Sequence, residues 1–195
     1  LIITTLDDVV YMGYKNDCSF IIGTHLNLYE HQSTYCPNMP LRGFLYLADI
    51  LQSFIEYNEY NIYGHKLIKL PTPQYIVFYN GTEDFPDKKE LYLSDAFESD
   101  DSCLEFKAIM ININLGHNKE LMEKCRVLEE YATFISQIRM YRDMGMTMAE
   151  AIDRACVYCI EHDVLRQFLL KNRSEVVKVL LTEFDEKKYI KMERQ

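Results

Sequence analysis

Residues 16–32, Asn-Asp-Cys-Ser-Phe-Ile-Ile-Gly-Thr-His-Leu-Asn-Leu-Tyr-Glu-His-Gln, constrain the fold more than any other stretch. Two apolar-rich runs of strand length flank Gly23-Thr24, and a pair with glycine first suits a two-residue type II′ hairpin turn. With those two residues as the loop, Ile22 faces His25, and counting back along the ladder sets Asp17 opposite Glu30. Strand side chains alternate between faces. Asp17, Ser19 and Ile21 therefore share a face with Leu26, Leu28, Glu30 and Gln32. That face is apolar near the turn and carries two carboxylates and an amide at its far end. Like charges directly opposite one another destabilise a sheet, so the pair asks for a cation between them. A hard, mostly hydrated divalent ion held by one or two carboxylates, Mg²⁺ or in its place Mn²⁺, suits that position. The plainer reading of the same residues is the polar edge of a half-exposed hairpin, with both carboxylates in water.

The rest of the chain alternates between strand and helix signals before turning helical. Residues 8–14 are β-prone and lead into the hairpin. A polar loop, residues 33–39, precedes Pro40, which suits the first residue of a helix running to about Tyr60. Leu41, Phe44, Leu45, Ala48, Leu51 and Ile55 recur at three and four and predict its core-facing stripe, with Arg42 and Asp49 off it. A connector, residues 64–72, carries His65, Lys66 and Lys69. Residues 75–79, Tyr-Ile-Val-Phe-Tyr, read as a strand buried on both faces and stopped by Asn80-Gly81. Hairpin, helix and buried strand in that order imply a crossover into a mixed sheet. Further strands are expected at 90–93 and 104–113, with the acidic segment 98–101 as a solvated loop between them.

From Asn118 onward the pattern is helical. One helix is expected from Lys119 to about Met144 with Gly145 as its C-cap. A capping box, Thr147 with Glu150, opens another to roughly His162. A last helix runs from Leu165 to about Lys188. The change of character near 118 divides the chain into a core, residues 1–117, and a helical C-terminal region, residues 118–195. The stripe Leu121, Cys125, Leu128, Ala132 and Ile135 carries no clustered ionisable set, so this region is expected to serve packing and self-association into a homo-oligomer.

Charge and cysteine content narrow the function classes. At 195 residues the chain is long enough for a sizeable core, and its net charge of −9 opposes broad attraction to a polyanion, so any nucleic-acid contact must be local. The 6 cysteines are irregularly spaced and no secretory signal precedes them, which reads as reduced thiols in a cytoplasmic protein. No apolar run is long enough to span a bilayer, so no membrane partner is expected. The opening Leu-Ile-Ile-Thr-Thr-Leu, without an initiator Met, reads as the interior of a longer protein. Cys156 and Cys159, with His162, have zinc-ligand types, but one such pair on an apolar helix more simply packs as small hydrophobes. Tyr29, Tyr75 and Tyr79 could stack on bases, although sheet packing explains them as well.

An Asp, then a hairpin, then Glu-x-Gln at the end of a buried strand is similar to the PD-(D/E)xK nuclease pattern, with Gln where Lys is usual. The run Leu28-Tyr29-Glu30-His31-Gln32-Ser33-Thr34, followed by residues 38–42, Asn-Met-Pro-Leu-Arg, closely resembles the recombination-promoting nuclease/putative transposase family of bacteria. Residues 15–20 and 78–81 carry the same likeness, which continues weakly through Leu121-Met122 and residues 149–152. The resemblance implies an α/β core of α-β-β-β-α-β type, a mixed central sheet flanked by helices, with an all-helical appendage. It also implies Mg²⁺-dependent hydrolysis of DNA phosphodiesters in recombination or transposon-like mobility. Carried over, Asp17 and Glu30 would ligate the metal with the His31 backbone carbonyl, Gln32 would orient the attacking water, and Arg42 would supply the charge that Lys provides elsewhere. The family's first helix would lie upstream of Leu1. The rival expectation is a catalytically weak nuclease-fold module for binding or self-association.

Overall fold

The computed structural model describes residues 2–3 and 18–193, with side chains described for 18–181. They fall into two compact units, Leu1–Asn112 and Ile113–Gln195. The first is built on a mixed sheet. Its elements are β1 (Ile2–Ile3), β2 (Cys18–Ile22), β3 (His25–Gln32), α1 (Met39–Tyr57), β4 (Thr72–Tyr79), β5 (Lys88–Tyr92), a 3₁₀ turn (Leu93–Ala96) and β6 (Lys107–Asn112). The six strands lie in the order β1-β2-β3-β4-β6-β5. β3, β4 and β6 are mutually parallel, and β2 and β5 run antiparallel to their neighbours. A parallel pair needs a crossover, and α1 provides it between β3 and β4.

The hairpin has the expected register, with Ile22 opposite His25, Ile21 opposite Leu26 and Ser19 opposite Leu28. Gly23 takes a φ of 59°, the left-handed first turn position that glycine adopts without steric cost. Ser19, Leu26, Leu28 and Glu30 are all buried on the face that carries Tyr75, Val77, Tyr79, Ala108 and Met110. Residues 8–14 and Asp17 lie outside the described residues.

The helix stripe differs from the periodic reading. Met39, Pro40, Gly43, Tyr46, Leu47 and Ile50 are buried, whereas Leu41 is 44 % exposed and Ala48 faces solvent. Apolar residues cover much of the α1 circumference, so spacing admits two overlapping stripes. Close approach decides between them. A Cβ on Gly43 would run into the Tyr75 ring, so only the glycine side lets helix backbone lie against the sheet. Arg42, expected off the stripe, consequently sits beside it and reaches the sheet.

β4 departs from the two-sided burial expected of it. Tyr75, Val77 and Tyr79 are buried, while Ile76 and Phe78 on the other face are half-buried. There Tyr29 stacks between Phe20 and Phe78, with ring centroids 5.4 and 5.5 Å away. β5 and β6 start and stop within three residues of the expected strands, and residues 98–101 are exposed.

The second unit is helical: α2 (Lys119–Lys124), α3 (Arg126–Asp143), α4 (Met148–Glu161) and α5 (Arg166–Glu193). The single helix expected from 119 is broken at Cys125, whose φ and ψ of −129° and 79° are not helical. α3 ends in a Schellman motif: Gly145, at φ 90°, donates to the Arg142 carbonyl and Met146 donates to that of Tyr141. The Thr147–Glu150 capping box forms in both directions and contributes about 1 kcal/mol. Phe134, Ile135, Ile138, Ala151, Ile152, Ala155, Cys156, Cys159 and Leu169 make the core of this unit. Among the described residues, no helix is long and apolar enough to cross a membrane.

Candidate metal and phosphate site at the carboxyl end of β3

Among the described residues, Glu30 is the buried carboxylate of the sheet unit. It is 2 % exposed, beneath the first turns of α1, on the same face as Leu26 and Leu28. An isolated charge at such a depth is strongly disfavoured. Its compensation comes from the helix: Arg42 Nη2 lies 3.6 Å from Glu30 Oε2. A cation beside Glu30 is thus supplied by the chain itself, while the cation expected between Asp17 and Glu30 concerns a residue outside those described.

Arg42 is held in place by its helix. Its Nε and Nη2 donate to the Tyr46 hydroxyl at 3.2 and 3.1 Å, and its Nη1 reaches Met39 Sδ at 3.5 Å. Residues three and four apart share a helix face, which is why positions 39, 42 and 46 converge. Burial works against the Arg42 charge, but the Tyr46 hydroxyl and the Glu30 carboxylate outweigh it and set its pKa above the ordinary value. Burial likewise pushes the Tyr46 hydroxyl up; Arg42 opposes this, and the Glu30 charge and a hydrogen bond with Glu30 add to it. Both groups therefore keep their protons at neutral pH, Arg42 as a cation and Tyr46 as a neutral phenol. The Arg42 side chain remains 36 % exposed, so its outer edge meets solvent.

Gln32 lies two residues beyond Glu30 and leaves the strand on the same face, opposite Tyr79. Its carbonyl accepts from the Asn80 amide at 3.0 Å, and that fixes its backbone toward β4. Backbone polar groups alternate in direction along a strand, so the His31 carbonyl faces the β2 side. The His31 side chain shares the opposite face with Phe78. The structure brings Glu30, Gln32 and Arg42 to one end of the sheet; Asp17 lies outside the described residues.

The Glu30 carboxylate and the His31 backbone carbonyl are hard oxygens. Their chemistry suits Mg²⁺ or Mn²⁺, which bind through one or two carboxylates and otherwise keep water. Among the described residues no group of three or more His, Cys, Asp or Glu side chains is placed to hold a metal ion. Cys156 and Cys159 are fully buried in the helical core, where burial pushes both thiols up, Cys159 to about 11. His162 is stacked on Tyr158 with its Nδ1 at 2.8 Å from the Tyr158 carbonyl. That triplet packs and caps rather than presenting thiolates.

Two features of this end escape sequence reading. Tyr46 is one; an Arg–Tyr pair at i, i+4 on a helix was a readable signal. The other is a distant cation. Lys89 donates to the Tyr35 hydroxyl at 3.0 Å and lies 4.5 Å from that ring's centre, while Tyr35 packs on Phe85 and Phe85 on Tyr79. Tyr35 and Lys89 are 54 residues apart, and no local pattern announces such a contact. The basic connector lies elsewhere: Thr72, at its end, pairs with His25 at the start of β3. At ~3.3 Å per residue that is roughly 20 Å from Glu30 and Gln32. Tyr75 and Tyr79 are core residues, so they do not stack on bases.

No protein-family model, no curated protein and no solved structure matches this chain.

Proposed function

We propose that the sheet unit is a nuclease core of PD-(D/E)xK type and that the chain is a metal-dependent DNA endonuclease, acting in the cytoplasm in recombination or transposon-like mobility. One observation carries this reading. A buried carboxylate, Glu30, shares the end of a central strand with Gln32 and sits against a permanently charged arginine whose edge is exposed. Buried charge at the carboxyl ends of parallel strands is costly for packing and useful for chemistry. The order hairpin, helix, parallel strand agrees with the core that the sequence resemblance implies.

Glu30 and the His31 carbonyl, with Asp17, would hold Mg²⁺, which when bound lowers the pKa of water and neutralises charge on a scissile phosphate. The chain's own residues do the rest. The Gln32 amide both donates and accepts, so it can fix the orientation of an attacking water. Arg42 offers a phosphate oxygen its outer N–H groups, while Tyr46 prevents the guanidinium from wandering. The start of α1 adds the partial positive charge of a helix N-terminus on the same side. With a chain charge of −9, DNA is engaged at this local patch rather than by a general field.

A second reading has its own support: the Glu30–Arg42 pair is a complete ion pair, and the helical unit exposes Val127, Met144, Phe168 and Leu170. Both suit a module that binds or self-associates without cutting. Incubation of the chain with supercoiled plasmid and Mg²⁺ separates the two. Nicking that EDTA abolishes and Glu30→Gln removes is expected; intact plasmid at every Mg²⁺ and Mn²⁺ concentration would leave the binding module.

A further inference from the structure

The connector between α1 and β4 is the part of the sheet unit that packing does not explain. Residues 56–67 are exposed throughout, and among them Tyr63 is 91 %, Tyr57 87 % and Leu67 77 % exposed. Single exposed apolar side chains are ordinary, but a run of them marks a surface that meets a partner. Charge indicates which partner. Residues 60–82 hold no Asp or Glu, in a chain with 30 of them, while Lys66, Lys69 and His65 supply basic groups. Interleaved aromatic and basic side chains are the chemistry that holds an unpaired strand, rings against bases and cations against phosphates. We propose that this connector binds single-stranded nucleic acid, with Tyr57 and Tyr63 stacking on bases and Lys66 and Lys69 holding phosphates. The surface lies toward the opposite end of β3 from Glu30, since Thr72 pairs with His25, and it requires neither a metal nor cleavage.

Local backbone chemistry gives the connector a definite shape. α1 ends in the same pattern as α3: the Tyr60 amide donates to the Ile55 carbonyl at 3.0 Å and the Glu59 amide to that of Glu56 at 3.1 Å. Glu59 takes the left-handed position at φ 53°. The Tyr60 ring then packs on Phe54, with centroids 6.0 Å apart. Beyond it the Asn61 side chain accepts from the Tyr63 amide at 3.0 Å, and the Asn61 carbonyl from the Gly64 amide at 3.2 Å. Tyr60 is thus used for packing, while Tyr57, in the last turn of α1, and Tyr63, in the Asn61 turn, keep their rings in solvent. Rings carried on an ordered backbone lose less freedom on binding. Stacking on a ring face needs a base that its own neighbours do not cover, so an unpaired strand is favoured over a duplex. Glu56 and Glu59 close the segment on the α1 side, and the phosphates are therefore held from Lys66 onward.

The test uses the whole chain with EDTA present, so that cleavage does not intervene. Fluorescence anisotropy follows a labelled oligothymidylate of about 15 nucleotides, a length that one such surface can fill. Tyr57→Ala and Tyr63→Ala are each expected to weaken binding roughly tenfold, and Tyr63→Phe to leave it unchanged, because stacking needs the ring and not the hydroxyl. Tyr63→Leu should behave as Tyr63→Ala although it keeps apolar bulk. Lys66→Gln with Lys69→Gln should reduce the slope of log affinity against log salt by about 1.4, the share of two phosphates on a single strand. These positions are all exposed, and circular dichroism checks each fold. Absence of binding by wild type, binding that survives the Ala and Gln substitutions, or full binding by Tyr63→Leu would overturn the proposal. So would a duplex of the same length that competes as well as the single strand. Light scattering across protein concentrations and sedimentation with phosphatidylserine vesicles test other occupants. Self-association or vesicle binding that Tyr63→Ala abolishes, with the oligothymidylate unbound, would assign the surface to a second copy or a lipid surface instead.

Discussion

Among the described residues, the polar side chains buried as whole residues (Ser19, Asn27, Glu30, Asn80 and Asn112) all belong to the sheet unit, whereas the helical unit closes around Phe134, Ile135, Ile138, Ile152, Cys156, Cys159 and Leu169. Both units are packed, but they tolerate buried polarity differently. Asn112 is held by a bond from its amide to the Phe85 carbonyl at 2.8 Å, and Glu30 by Arg42. Buried polar groups cost stability unless each is paired. A fold that needed only a core would do as the helical unit does. Glu30, Asn80 and Asn112 lie at the carboxyl ends of β3, β4 and β6, where the candidate site is, whereas Ser19 and Asn27 lie further back in the hairpin.

That contrast can be broken by substitution. Ile152 is fully buried in the helical core, and Ile152→Ala should destabilise that unit by about 4 kcal/mol through lost transfer energy and a residual cavity. Denaturant unfolding should show the loss, with Mn²⁺ binding by the sheet unit unchanged. Altered metal binding would mean the two units are not independent in function. Arg42→Met should cost the sheet unit about 3 kcal/mol, because it leaves the Glu30 carboxylate buried without its cation. A neutral effect in urea unfolding would show that Arg42 contributes little to holding Glu30.

The smallest expected effect concerns pH and belongs to the helical unit. Glu130 accepts from the Leu165 amide at 2.7 Å and pairs with Arg126. The backbone hydrogen bond, aided by Arg126 and opposed by partial burial, lowers its pKa. A carboxylate with a lowered folded value gives stability that is complete above the ordinary carboxylate range and is lost as pH falls through the folded value. The helical unit should therefore weaken below about pH 4, and Glu130→Gln should flatten that limb in thermal melts recorded across pH. An unaltered limb would assign the acid response to other carboxylates.

The hairpin was legible because a two-residue glycine turn fixes register, and register fixes faces; Ile22 opposite His25 and Ser19 opposite Leu28 follow from that count. The caps at Gly145 and Thr147 were legible because they are local backbone chemistry. The α1 stripe was not, since the choice between two apolar faces turned on Gly43 meeting Tyr75, a contact between distant segments. The break at Cys125 was equally hidden, as nothing in its side chain forbids helix. Within the candidate site, Glu30 and Gln32 could be placed on one face by alternation alone. The Arg42 bridge to Glu30 depended on how α1 is rotated, and so on the same glycine.

Cleavage rate against Mg²⁺ concentration, for wild type, Glu30→Gln and Gln32→Lys, tests the central claim most directly. Loss of the Glu30 charge should demand far more metal, because carboxylate charge sets affinity for a hard cation. Gln32→Lys should act on the rate at saturating metal and preserve or raise it, since Lys adds charge beside the scissile phosphate. Equal, metal-independent effects at both positions would make Glu30 and Gln32 structural residues and contradict the assignment of a metal-dependent nuclease site.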